Sequence, residues 1–107
     1  MNPIVQFTPL EGRTLRTLDR RNAFHVVSVT DDIVSIRVQS TNKPRPIPMR
    51  EIEHAYPELV AAGHITRVDI EARHSPRNPA YVAAMIAEFP GVRWQARPIR
   101  LVYALPG

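Results

Sequence analysis

A chain of 107 residues with 44% hydrophobic and 22% charged side chains has the size and composition of one globular domain, expected over residues 1–107. It contains no cysteine, which excludes disulfides, thiolate chemistry and every sulfur-ligated zinc site. The formal net charge is +4, and apart from Lys43 every basic residue is arginine, the side chain suited to forked contacts with phosphate and carboxylate.

The first eleven residues, with Pro3 and Pro9 and no hydrophobic period, are expected to form an irregular arm without the features of a signal peptide. Residues 14–18 are rich in β-branched and apolar side chains and read as a first strand. The polar group Asp19, Arg20, Arg21 and Asn22 reads as a turn, and residues 23–29 as a mostly buried strand. In residues 33–39, Val34, Ile36 and Val38 alternate with Ser35, Arg37 and Gln39, the pattern of a strand with one wet face. Pro44, Pro46 and Pro48 follow at alternate positions. Such a stretch can only be a sheet edge or an extended connector.

A helix is expected from Met49, with Ile52, Ala55, Tyr56, Leu59 and Val60 on one stripe, a kink at Pro57 and a stop at Gly63. Thr66 and Asp69 have the spacing of a capping box and start a short second helix, with Val68 and Ala72 on its apolar face near Ile65. Asn78 and Pro79 are an N-cap and first-turn pair for a third helix over residues 79–89, in which Val82, Met85, Ile86 and Phe89 form the buried stripe. Its opposite side, Ala80, Ala83, Ala84 and Ala87, lets something come close, whether a strand, a second helix or a partner. Pro90 and Gly91 end it. Val92, Trp94 and Ala96 then alternate with polar residues, and after Pro98 a last strand carries Ile99, Leu101, Tyr103 and Leu105 on one face.

The order of strands, then helices, then strands implies the α+β class: an N-terminal antiparallel β-meander, a three-helix segment and a C-terminal strand or hairpin. No uncharged apolar run is long enough to span a membrane, and the chain is expected to be cytoplasmic.

The candidate chemistry is sparse. His54, His64 and His74 are ten residues apart, and Glu51 with His54 supplies only half of a carboxylate–histidine motif, so no metal and no cofactor is expected. No serine stands in a nucleophile elbow and the four glycines are scattered, so no catalytic residue is assigned and the chain is not expected to be an enzyme.

Charge distribution is more informative. Residues 1–50 hold eight bases against four acids, residues 51–71 five acids against one base, and residues 73–107 five bases against one acid. Two helices joined by a short turn, followed by a basic strand pair, resemble the winged helix-turn-helix domains over residues 49–105. That resemblance implies binding of double-stranded DNA. The third helix would be the recognition helix, with Arg73, Arg77, Asn78 and Tyr81 at its N-terminal end, and Arg93, Arg97 and Arg100 would lie on the wing near phosphates. The joint over residues 74–78 is about one residue longer than the usual three or four and contains Pro76. Residues 12–53 are similar in a general way to small N-terminal β-rich domains of uncharacterised prokaryotic proteins, a likeness that implies no activity. The alternative is a protein-interaction or homodimerisation module, using the alanine side of the third helix and a free edge of the C-terminal strand.

Overall fold

The structure, a computed structural model, describes residues 10–104; most of the expected N-terminal arm, together with Leu105, lies outside them. The class is α+β. Strands β1 (Thr14–Arg16), β2 (Ala23–Val29), β3 (Ile33–Val38) and β4 (Lys43–Pro48) form an antiparallel sheet in sequential order. Helices α1 (Met49–Ala62), α2 (Arg67–Arg73) and α3 (Pro79–Ile86) follow, with β5 (His64–Thr66) between the first two. A hairpin of β6 (Val92–Gln95) and β7 (Arg100–Tyr103) completes a second sheet of order β5-β7-β6. Among the described residues no helix is long and apolar enough to cross a membrane.

The meander follows from its side chains. Val34, Ile36 and Val38 on β3 are buried, as are Phe24 and Val26 on β2, so alternation turns one sheet face inward. The pairing of β2 with β3 shifts register between Val26 and Ser28, which leaves Val27 exposed. Strand β4 is an edge, as its prolines require, and those prolines leave few donors for another strand to pair with.

Helix α1 runs through Pro57 to Gly63, whose left-handed conformation (φ 84°) closes it with an N–H donated to the Leu59 carbonyl. Helix α2 opens on the expected capping box: Asp69 N–H donates to Thr66 Oγ1 (3.0 Å) and Thr66 N–H to Asp69 Oδ2 (3.1 Å). Its apolar side differs from expectation. Ile70 is the buried residue, Val68 is 64% exposed, and Ile65 belongs to β5. Only His64 and Ile65 separate the helix stop at Gly63 from the capping box that begins at Thr66, too few to show alternation, and so β5 was not expected.

Helix α3 corrects the largest expectation. Ala83 and Ala84 are 1% and 2% exposed, and Val82, Met85 and Ile86 are also buried, so the middle of the alanine side is packed against the protein's own elements and not exposed as the protein-interaction reading required, while Ala80 and Ala87 at its ends are half-buried. Helices α1 and α2 and strand β1 pack against α3, and its small residues permit that close approach. The helix also ends at Ile86, before Phe89, because the N–H groups of Glu88 and Phe89 reach back only three residues, to the Met85 and Ile86 carbonyls.

The C-terminal strand is corrected as well. It lies between β5 and β6, so both of its edges are paired and it offers none to a second chain. Leu101 faces the core, with Ile99 and Tyr103 packed beside it. One continuous core joins the two sheets and three helices, from Phe24 and Ile47 through Ile52 and Leu59 to Ile70, Met85 and Leu101.

Candidate nucleic-acid interface

The register of the small sheet decides what its outer face presents. Ile65, Leu101 and Trp94 lie in one cross-strand row, and the burial of Ile65 and Leu101 marks the inner side. The rows His64–Val102–Arg93 and Thr66–Arg100–Gln95 therefore face outward. Arg93 and Arg100 stand diagonally across the hairpin, about 7–8 Å apart by sheet geometry. Arg97 sits in the connecting turn in the left-handed region (φ 61°), a conformation uncommon for a residue with a Cβ. All three arginines are exposed.

The turn between β1 and β2 lies against this hairpin. An open crevice of about 420 Å³ is lined by Leu18 and Asp19 on one side and by Ala96, Arg97, Pro98 and Ile99 on the other. The turn is firmly built: Asn22 N–H donates to Thr17 Oγ1 (3.0 Å), Arg20 N–H to Asp19 Oδ1 (2.8 Å) and Arg16 Nη1 to the Arg21 carbonyl (3.0 Å). Arg67 ties the turn to the small sheet, with its Nε 3.6 Å from Asp19 Oδ2 and its backbone N–H donating to the Ile99 carbonyl (3.0 Å). Arg21 is also left-handed (φ 58°), and its guanidinium lies 5.9 Å from the ring centre of Trp94, within reach of a cation–π attraction. Two arginines in uncommon backbone conformations thus sit on neighbouring turns.

The other four expected contact residues lie around the α2–α3 joint and are differently employed. Arg73 is held by Glu58, which accepts from its Nε (3.2 Å) and its Nη2, and by Asp69 (3.4 Å). The Arg73 guanidinium holds the Glu58 carboxyl below its ordinary pKa, helped by His74, whose Nε2 is 2.9 Å from Glu58 Oε1. Asp69 is lowered chiefly by the Thr66 backbone N–H, and Arg73 is raised by Glu58. Asn78 stands at the N-cap position but makes no cap bond. It is 6% exposed, and its Oδ1 accepts from Arg45 Nη1 (2.9 Å). Tyr81 packs edge-on against Phe24 (5.2 Å between centroids) beneath the Arg45 guanidinium. Arg45 of strand β4 thus meets both Asn78 and the half-buried Tyr81. Arg77 remains exposed, on the rim of a depression it shares with Arg50, Pro46 and Pro76.

Comparison of the chain with protein-family models, with curated proteins and with solved structures found no match.

Salt bridges among the described residues engage Arg13 with Glu88, Arg67 with Asp19 and Glu71, and Arg73 with Glu58 and Asp69. Arg20, Arg21, Arg93, Arg97 and Arg100 have no carboxylate at ion-pair distance among those residues, and they are carried by the two neighbouring turns and the small sheet. Arg20, Arg21 and Trp94 were not among the expected contacts. The first two read as ordinary turn residues and the third as the apolar phase of a strand; the doubled arginine was the only available signal. Among the described residues no three or more His, Cys, Asp or Glu side chains gather as a metal site, and Glu51 is engaged by the buried Ser75 hydroxyl.

Proposed function

We propose that this chain is a non-catalytic double-stranded DNA-binding module of winged-helix arrangement that grips the phosphate backbone with its β6–β7 hairpin and β1–β2 turn. The observation that carries this reading is the grouping of Arg20, Arg21, Arg93, Arg97 and Arg100 on two neighbouring turns and the small sheet, all exposed and none with a carboxylate at ion-pair distance among the described residues, whereas the exposed, carboxylate-free Arg16, Arg37, Arg45, Arg50 and Arg77 lie elsewhere on the chain. Guanidinium groups so presented suit phosphate oxygens. The arrangement of α1, β5, α2, α3 and a final hairpin, with sheet order β5-β7-β6, supports the winged-helix part of the reading.

The mode of contact departs from the resemblance. Helix α3 is packed in the middle of its alanine side, and Arg45 of β4 meets Asn78 and Tyr81, so base reading through that helix is not part of the proposal. Phosphate contacts orient a protein on a duplex without carrying sequence information, and binding is expected to tolerate sequence. The test is fluorescence anisotropy with an arbitrary duplex at about 50 and 200 mM salt, where neutralising several phosphates predicts a steep loss of affinity. Replacing Arg93, Arg97 and Arg100 by Ala should weaken binding at low salt and lower the salt slope by about two to three. Absence of salt-sensitive binding by the native chain would overturn the reading.

A further inference from the structure

The chain has a single tryptophan, and it stands at the margin of the small sheet, on the side opposite Arg93 and Arg100 and beside Arg21. Trp94 is 39% exposed, while its cross-strand partner Leu101 is fully buried. The difference comes from position: β6 is the margin of its sheet, so Trp94 emerges at the rim of the inner side. Arg93 and Gln95, its neighbours in sequence, belong to the outer face. The two sides of this one short margin thus carry different chemistry, with guanidinium groups on one and an aromatic ring on the other. Arg21 of the neighbouring turn lies over the ring at 5.9 Å. Rings interleaved with guanidinium groups are the elements that hold unpaired nucleotides, the ring by stacking on a base and the cations by tracking the backbone.

We infer that Trp94 is a stacking platform for an unpaired base, so that the preferred ligand is DNA carrying a single-stranded segment beside its duplex. This rests on the nucleic-acid reading above and names its substrate class. A base inside a duplex is stacked on both faces and cannot use the ring. An unpaired base laid along β6 can meet Trp94 while its flanking phosphates remain on the side of Arg93 and Arg100.

The experiment compares a blunt duplex with the same duplex bearing an oligothymidine overhang, reading anisotropy for affinity and tryptophan emission for stacking. Because no other tryptophan is present, the emission reports Trp94 alone. The overhang should tighten binding roughly tenfold and quench the emission, whereas the blunt duplex should leave the emission nearly unchanged. Trp94→Ala should abolish the preference for the overhang, read as the ratio of the two affinities, and Trp94→Phe should retain part of it. If Trp94→Ala fails to fold, Trp94→Phe and Trp94→Tyr still report the ratio in a chain that keeps a ring. Equal affinity for both probes with unquenched emission would overturn the stacking role and leave duplex binding standing. Equal weakening of both probes by Trp94→Ala would assign Trp94 to holding the Arg21 turn and also overturn it. No binding of either probe at low salt would overturn both inferences.

Discussion

Glu58 receives Arg73 and His74, two side chains from the far end of α2, and so fixes how that helix sits on α1. Its pKa is lowered by these partners, as that of Asp69 is by the Thr66 cap. A carboxylate with a lower pKa folded than unfolded binds fewer protons in the folded state at pH values between the two. Its stabilisation is therefore complete above the ordinary carboxylate range and is lost as pH falls through the folded value. Thermal melts of the native chain should show a midpoint that falls once pH drops into and below that range. Glu58→Gln should be less stable near neutrality and lose less on acidification. Thr66→Ala removes a satisfied cap and should cost about 1 kcal/mol in urea unfolding. The capping box was legible because both members lie within three residues of each other. The partners of Arg73 and Asn78 were not: Glu58 is 15 residues away on another helix, and Arg45 is 33 residues away on a strand. Local sequence cannot reveal a partner that only folding brings near.

Elements were legible where punctuation was strong. Gly63 ends α1, Pro79 opens α3, and alternate prolines make β4 an edge. The glycines that shape the chain should differ in what they tolerate. At Gly63 a Cβ would meet nothing within 4 Å, so Gly63→Ala should cost only the left-handed backbone, about 1–2 kcal/mol. At Gly91 (φ 81°) a Cβ would lie 2.8 Å from the Ala104 carbonyl oxygen, where Ala104 N–H also bonds back to the Gly91 carbonyl (2.9 Å). Gly91→Ala should be the more destabilising of the two in urea unfolding, because the contact is with backbone that cannot swing aside. Helix α3 shows the limit of periodicity. A stripe of large apolar residues marks one buried face, but alanines on the other face are compatible with solvent or with close packing. Ala84→Leu distinguishes these outcomes: it should overpack the core and cost about 1–3 kcal/mol, whereas an open face would accept leucine with little change.

The whole molecule is built on one core that the two sheets share through α1 and α3. The fragment of residues 49–104, which contains the winged-helix-like elements, should therefore not fold alone. Circular dichroism of that fragment should show little cooperative melting, while the full chain unfolds in one transition. The sequence by itself determined the α+β class, the positions of most strands and helices, and the basic character of the last hairpin. Each depends on neighbours within a few residues: alternation, helical stripes, caps and prolines. Tertiary structure alone decided that α3 is packed on both sides, that β5 closes the edge of β7, and that the β1–β2 turn lies beside the hairpin. These are contacts between segments far apart in the chain, set by how apolar faces pair across a common core. The doubled arginine and the tryptophan had to be brought together in space before they formed one surface.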